Sequence, residues 1–219
     1  MRPLLFLTIP ASLVIVGAAI YIYNMPPVVS SNKPNLATGP RHPITPEMAQ
    51  DAEARPGKPA PEISLNDTSG KSQTLSNYLK TGPVLLVMIK DGCPCNLESQ
   101  EFFNAIAGHY PGKAMVLGVM DSDKLLASKY KDDLRVPFPI LTETSEKTFR
   151  SYRAEQSVYT FLISKDGTLK KVWPGYSAAM LVEANQMLAD EAGVPAVPLD
   201  VTRAAKEMTS GCYFFASES

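Results

Sequence analysis

Cys93-Pro94-Cys95 sets two thiols one residue apart, directly after the apolar run Pro83-Val-Leu-Leu-Val-Met-Ile-Lys90 and before a stretch with helical periodicity. A sulfur at the start of a helix meets unpaired N–H groups and the positive end of the helix dipole. Its thiolate is therefore stabilised, and the thiol is acidified below the free value of about 8.5. With Cys93 as the cap, Pro94 falls at the first helical position, where its missing N–H costs little and its fixed φ already suits a helix. Such a thiol is a nucleophile near neutral pH. Lys90 adds positive charge to the turn and Asp91 opposes it.

Cys95, if helical, points roughly opposite to Cys93, because residues i and i+2 do not share a face. A Cys93–Cys95 disulfide then requires the first turn to unwind or carries strain, and strained disulfides are oxidising. Two redox cycles stay open. One is a local Cys93–Cys95 couple; the other is attack by Cys93 followed by resolution from Cys212, which follows Gly211 in a tail expected to be mobile. Plainer readings stand beside these: Cys95 as a small buried hydrophobe, and Cys212 as a tail cysteine next to Tyr213-Phe-Phe215, which anchor the tail by burial.

Other residues offer less. His42 lies in a proline-rich stretch, and His109 lies at the far end of the helix that Cys93 opens, about 24 Å away by helical rise. Neither is placed to act as a base for Cys93. A copper or zinc site needs thiolates and imidazoles to converge, and no histidine accompanies the two close thiols. No metal or cofactor is called for. Trp173, Met88, Met115 and Met120 read as packing residues.

The elements that must position Cys93 follow from the apolar pattern. Val84 to Ile89 is what a strand buried on both faces looks like. Leu97, Phe102, Phe103, Ile106 and Ala107 fall near one helical face, ending at Gly108-His-Tyr-Pro-Gly112. Ala114 to Met120 is a second apolar strand, and Asp121-Ser-Asp123 starts a second helix containing Leu125, Leu126 and Tyr130. Alternating strands and helices predict parallel α/β units. Upstream, Glu62–Leu65 and Ser72–Leu75 flank a turn and predict a hairpin, followed by a helical turn at Ser76–Leu79. Downstream come the extended Val136–Leu141, a short helix within Glu143–Arg153, two strands (Val158–Ile163 and Leu169–Trp173) around Asp166-Gly167, and a last helix from Ser177 to about Asp190. A helical turn is expected around Arg203–Glu207.

Among 219 residues, 21 basic and 22 acidic side chains give a formal net charge of −1, so nucleic acid is not an expected partner. The 45% hydrophobic content supports one cored domain. Residues 3–23 carry no charge and are long enough to span a bilayer, with Arg2 on the cytoplasmic side and Tyr21 and Tyr23 at the far interface. The expectation is a membrane anchor over 1–23, or a cleaved signal with Val16-Gly17-Ala18 as its site. The domain then lies outside the cytoplasm, on the periplasmic side of an inner membrane if the source is bacterial. Residues 24–56, with Pro26-Pro27, Lys33-Pro34, Gly39-Pro40 and His42-Pro43, predict a spacer with little core apart from a short helix at Pro46–Glu53. The domain is expected over 57–191 and a tail over 192–219. Three cysteines are too few for a disulfide-stapled scaffold and suit redox chemistry better.

Taken in order, Gly57-Lys-Pro-Ala-Pro61 with Leu65, Gly70 and Leu75, the strand and cysteine turn, Phe138-Pro139-Ile-Leu141, and Thr160-Phe-Leu-Ile163 with Lys165-Asp-Gly167 resemble the redoxin branch of the thioredoxin-like proteins. That branch includes alkyl hydroperoxide reductase and thiol-specific antioxidant proteins and membrane-tethered thiol-disulfide oxidoreductases. The resemblance runs from about Gly57 to Asp190. It implies a central mixed sheet flanked by helices, Cys93 as nucleophile, a protein disulfide or a peroxide as substrate, and an external thiol as electron donor. This sequence departs from the family in four places. Gly92 precedes Cys93 where thioredoxins carry tryptophan, and one residue rather than two separates the thiols. Leu86 and Lys90 stand at the proline and threonine of the peroxiredoxin motif. Val158 occupies the position of the usual cis-proline, and the peroxiredoxin arginine has no clear counterpart. These departures leave three readings: thiol-disulfide exchange through Cys93, peroxide reduction with Cys95 or Cys212 resolving, or a non-enzymatic copper-binding role.

Overall fold

The computed structural model describes residues 42–215; the expected anchor over 1–23 lies outside them. In chain order the elements are β1 (His42–Pro43), α1 (Pro46–Glu53), β2 (Ser64–Asp67), β3 (Ser72–Thr74), α2 (Leu75–Leu79), β4 (Val84–Ile89), α3 (Pro94–His109), β5 (Met115–Met120), α4 (Lys124–Asp133), β6 (Ile140–Thr142), α5 (Lys147–Ser151), β7 (Thr160–Ile163), β8 (Leu169–Trp173), α6 (Ala178–Ala192) and β9 (Thr209–Ser210).

Seven strands form one sheet in the order β3-β2-β6-β5-β4-β7-β8. The β4–β5 and β5–β6 pairs are parallel, as helical crossovers require, and the hairpin strands at both edges pair antiparallel. All of β4 is buried, which explains why its sequence has no polar alternation. Its successive side chains divide between two cores. Leu85, Val87 and Ile89 meet Phe102, Phe103 and Ile106 of α3 and Leu181, Ala184 and Leu188 of α6; Cys93 and Cys95 belong to this layer. Val84, Leu86 and Met88 meet Phe149 of α5, Leu75 and Leu79 of α2 and Ala52 of α1.

Local chemistry sets the helix starts. Asp123 opens α4 by accepting the N–H of Leu126, and Ser177 opens α6 by accepting the N–H of Met180. In α4 the buried residues are Ala127 and Tyr130, while Leu125 and Leu126 face solvent.

Three stretches differ from the expectation. Residues 42–55 were to hold little core, yet Ala52 and Arg55 are buried. The Arg55 guanidinium donates to the Tyr152 carbonyl at 2.6 Å and lies 5.1 Å from the centre of the Phe161 ring. Asp51 of α1 pairs with it at 3.5 Å, which supplies the counter-charge a guanidinium needs at that depth. Residues 203–207 form turns rather than a helix, and Arg203 reaches across to pair with Glu101. The expected mobile tail instead lies on the domain, with β9 paired antiparallel to β1. Small residues permit this close packing: a Cβ on Gly175 would sit 2.4 Å from the Thr209 carbonyl oxygen.

Candidate active site

Cys93 stands where β4 turns into α3, with extended backbone at φ −75° and ψ 121°. Its carbonyl accepts the N–H groups of Asn96 (3.1 Å) and Leu97 (3.3 Å), so it is the helix cap, but its side chain makes no capping bond. The turn is fixed from two sides. Buried Asn96 accepts the Lys90 N–H at 2.9 Å and donates to the Met88 carbonyl at 3.4 Å. Asp121, at the end of β5, accepts the Asp91 N–H at 2.6 Å and pairs with the Lys90 ammonium.

Donors converge on the Cys93 sulfur. The Ser157 hydroxyl donates to it at 3.2 Å and the Cys212 backbone N–H at 3.2 Å. The Cys95 and Cys212 thiols lie close enough to act on its charge. The Cys95 thiol has the largest effect and pulls the Cys93 thiol far below its ordinary value. Burial works against it, while Ser157 and Cys212 add to the lowering. The neighbours respond in the opposite sense. Cys95 is pushed strongly up, first by the neighbouring Cys93 sulfur, then by burial and the charges of Cys93 and Glu98. Cys212 is pushed up by burial, then by the Cys93 sulfur and the charge there, with Lys90 pulling back. Tyr130 is also raised, by burial and then by the Cys93 charge. One thiolate held by neutral donors is the arrangement that these opposed shifts describe.

All three sequence-predicted cysteines thus meet, Cys95 against expectation. The face rule for residues i and i+2 applies inside a helix; Cys93 is extended and outside it, which leaves the two thiols near enough for each to shift the other. Lys90 is held by Asp121 and bears on Cys212 rather than among the main influences on Cys93. His109 bonds Asn185 at 3.1 Å, and the His42 ring meets the Tyr213 ring edge-on at 5.9 Å; neither imidazole is hydrogen-bonded to the Cys93 sulfur. Among the described residues, no group of three or more His, Cys, Asp or Glu side chains is placed to hold a metal ion.

Ser157 is the site residue that sequence reading missed. It precedes Val158, which takes the left-handed φ of 63° while its N–H bonds the Met88 carbonyl at 2.9 Å. That conformation costs a β-branched residue on the order of 1 kcal/mol or more, and such strain gathers at functional sites.

The tail completes the enclosure. The Ser157 N–H donates to the Cys212 carbonyl (2.9 Å), the Gly211 N–H to the Ser157 carbonyl (3.0 Å) and the Phe214 N–H to the Glu155 carbonyl (2.9 Å). Phe214 stacks on Phe149 with ring centres 3.9 Å apart. Its burial contributes about 1.5–3 kcal/mol to holding the segment down. A Cβ on Gly211 would lie 1.9 Å from the Ser157 hydroxyl oxygen and 2.9 Å from the Cys93 sulfur, so only glycine lets the chain pass so close. Beneath it Cys93 is 1% exposed.

Comparison with known proteins adds the family context. Residues 56–172 match the AhpC/TSA family model. The thiol-disulfide oxidoreductase ResA of Geobacillus thermodenitrificans is 29% identical over 122 residues, covering 54% of this chain and 69% of that protein. Peroxiredoxin Bcp of Bacillus subtilis is 27% identical over 132 residues, covering 53% and 83%. Among solved structures, a putative thiol:disulfide interchange protein DsbE from Chlorobium tepidum is similar with a TM-score of 0.58 at 22% identity, covering 63% of this chain and 98% of its own. Peroxidoxin BcpB from Mycobacterium tuberculosis is similar with a TM-score of 0.56 at 20% identity, covering 64% and 98%. The expected thioredoxin-like α/β fold, a mixed sheet with flanking helices, is borne out.

Proposed function

The chain belongs to the AhpC/TSA family, and from that premise we propose that it is a thiol-disulfide oxidoreductase in which Cys93 is the nucleophile and Cys212 the resolving thiol. The family makes it a redoxin enzyme of the thiol-disulfide oxidoreductase or peroxiredoxin kind; the assignment of reaction and residues is our reading. The observation that carries it is the convergence of two donors, the Ser157 hydroxyl and the Cys212 backbone N–H, on the buried Cys93 sulfur.

In this reading the Cys93 thiolate attacks a disulfide sulfur, a mixed disulfide forms, and the other substrate sulfur leaves as a thiolate that takes a proton from water. The loss of negative charge at Cys93 then removes one cause that holds the Cys212 thiol protonated. Cys212 becomes more acidic at the moment its thiolate is needed. It attacks the Cys93 sulfur, a Cys93–Cys212 disulfide forms, and the second substrate thiol departs. An external thiol donor returns the enzyme to its reduced form. The peroxide reading lacks the motif threonine, since Lys90 stands at its position.

A disulfide map after limiting oxidised substrate tests the assignment. Wild type is expected to give Cys93–Cys212, and Cys212→Ser to accumulate a mixed disulfide on Cys93. A map with Cys93 unmodified overturns it. For location, we propose a membrane-held domain on the outer side, supported by the uncharged apolar run 3–23. Among the described residues no helix is long and apolar enough to cross a membrane. Recovery of the full chain in a carbonate-washed membrane fraction checks the proposal; release into the wash counts against it.

A further inference from the structure

We propose that residues 209–214 are an internal stand-in for substrate: they fill the slot into which an extended, cysteine-bearing segment of a disulfide-bonded protein docks. This rests on the reading of Cys93 as nucleophile and adds what that nucleophile recognises.

Access to the sulfur comes first. Cys93 is 1% exposed, and the Gly211 backbone passes directly over its sulfur. No disulfide in another protein reaches Cys93 until this segment lifts. Second is the kind of bond that holds the segment. The Ser157 N–H, the Ser157 carbonyl and the Glu155 carbonyl bind main-chain groups of Cys212, Gly211 and Phe214, and Gln156 bridges Tyr213 in antiparallel register. Any extended peptide can make those bonds, and the groups left behind by a departing tail call for a replacement strand. Third is what lies at the sulfur: the stand-in places its own cysteine there, with the Cys212 N–H on the Cys93 sulfur at 3.2 Å. Two residues on, Phe214 is buried against Phe149 with the Lys90 ammonium 6.0 Å from its ring centre.

The occupant is thereby specified. It is an extended segment whose disulfide-bonded cysteine takes the place of Cys212 and whose second following residue is aromatic or large and apolar. Cys93 bonds to that cysteine's sulfur while the outer S–S bond breaks and the outer sulfur leaves as a thiolate. The tail then re-enters, displacing the segment strand for strand. A new S–S bond joins Cys212 to Cys93, the bond from Cys93 to the segment breaks, and the Cys212 proton passes to the leaving sulfur.

The test uses the full chain, reduced, with label positions assigned by peptide mapping. Gly211→Val forces the segment off Ser157 and Cys93, and Phe214→Ala removes its anchor, serving where the first variant does not fold. Alkylation of Cys93 by a maleimide on a 5-kDa polymer, roughly the bulk of a protein segment, is expected to be at least about tenfold faster in the variant than in wild type, with iodoacetamide much less affected. Equal rates with the bulky reagent in wild type and variant overturn the cover. Cys93 inert to iodoacetamide in every form overturns the nucleophile reading itself, a separate outcome. For the docking half, the probe is the peptide Met-Thr-Ser-Gly-Cys-Tyr-Phe-Phe with glutathione disulfide-bonded to its cysteine. Gly211→Val is expected to release glutathione about tenfold faster from it than from the same peptide with alanine two residues after the cysteine. No difference between the peptides overturns the proposed recognition.

Discussion

Helices α3 and α6 pack on the same face of the sheet, but their first turns are built from different atoms. At α6 the cap is Ser177, whose oxygen accepts the N–H of Met180 at 3.1 Å and so spends itself on the helix. At α3 the cap is Cys93, whose sulfur makes no bond to the helix it begins, and Pro94 removes one of the N–H groups that would have asked for one. The sulfur's lone pairs are left for donors from elsewhere: Ser157 from the loop before β7 and Cys212 from the tail. The same position in two helices thus serves stability in one and acidity in the other, and the difference lies in which groups the cap atom accepts from.

The sharpest break of this comparison is Cys93→Ser. Disulfide exchange is expected to fall to the uncatalysed rate with the far-UV spectrum unchanged, as a turnover assay with a protein disulfide will show; retained turnover would move the nucleophile elsewhere. Ser157→Ala removes one donor to the sulfur and leaves the cap geometry alone. The alkylation pKa of Cys93 is expected to rise by about one unit, equivalent to about 1.4 kcal/mol, read from the pH profile of iodoacetamide labelling. Below that pKa, labelling slows because less thiolate is present.

A third measurement follows the same charge into stability. The folded Cys93 thiol titrates well below its unfolded counterpart, which has a pKa of about 8.5. Its contribution is therefore fully present above that unfolded value and is lost as pH falls through the folded one. Urea midpoints of reduced wild type minus Cys93→Ser are expected to widen from pH 5 toward pH 8.5, a window chosen below the range where the raised Cys95 and Cys212 thiols act in the opposite sense. The smallest effect is at the other helix. Ser177→Ala is expected to cost about 1 kcal/mol of stability and to leave the Cys93 pH profile unmoved; a shifted profile would join two helix starts that the comparison separates.

How much of this was legible depends on the range of the interaction. Val84–Ile89 and the phenylalanines of α3 declare themselves because burial is written in the apolar pattern of the segment itself. Pro94 after Cys93 marks the helix start for the same local reason. Ser157 is 64 residues from the sulfur it serves, and a serine in a loop carries no mark of its partner. Val158 hides its left-handed turn because β-branched residues ordinarily avoid it. Gly211 between Ser210 and Cys212 reads as slack chain, since the tight passage that requires glycine is made by Ser157 and Cys93.

The pairing of β1 with β9 has a consequence for how the molecule is born. His42 meets Ser210 across 168 positions, and Cys93 meets Cys212 across 119. Contacts so distant in the chain close late, and synthesis delivers residues 209–214 after every strand of the seven-stranded sheet. For an interval on the ribosome the sheet can fold and α3 can begin, while the strand over its sulfur has yet to be made. The nascent domain then presents an acidified thiol to the surrounding solution before it has a cover.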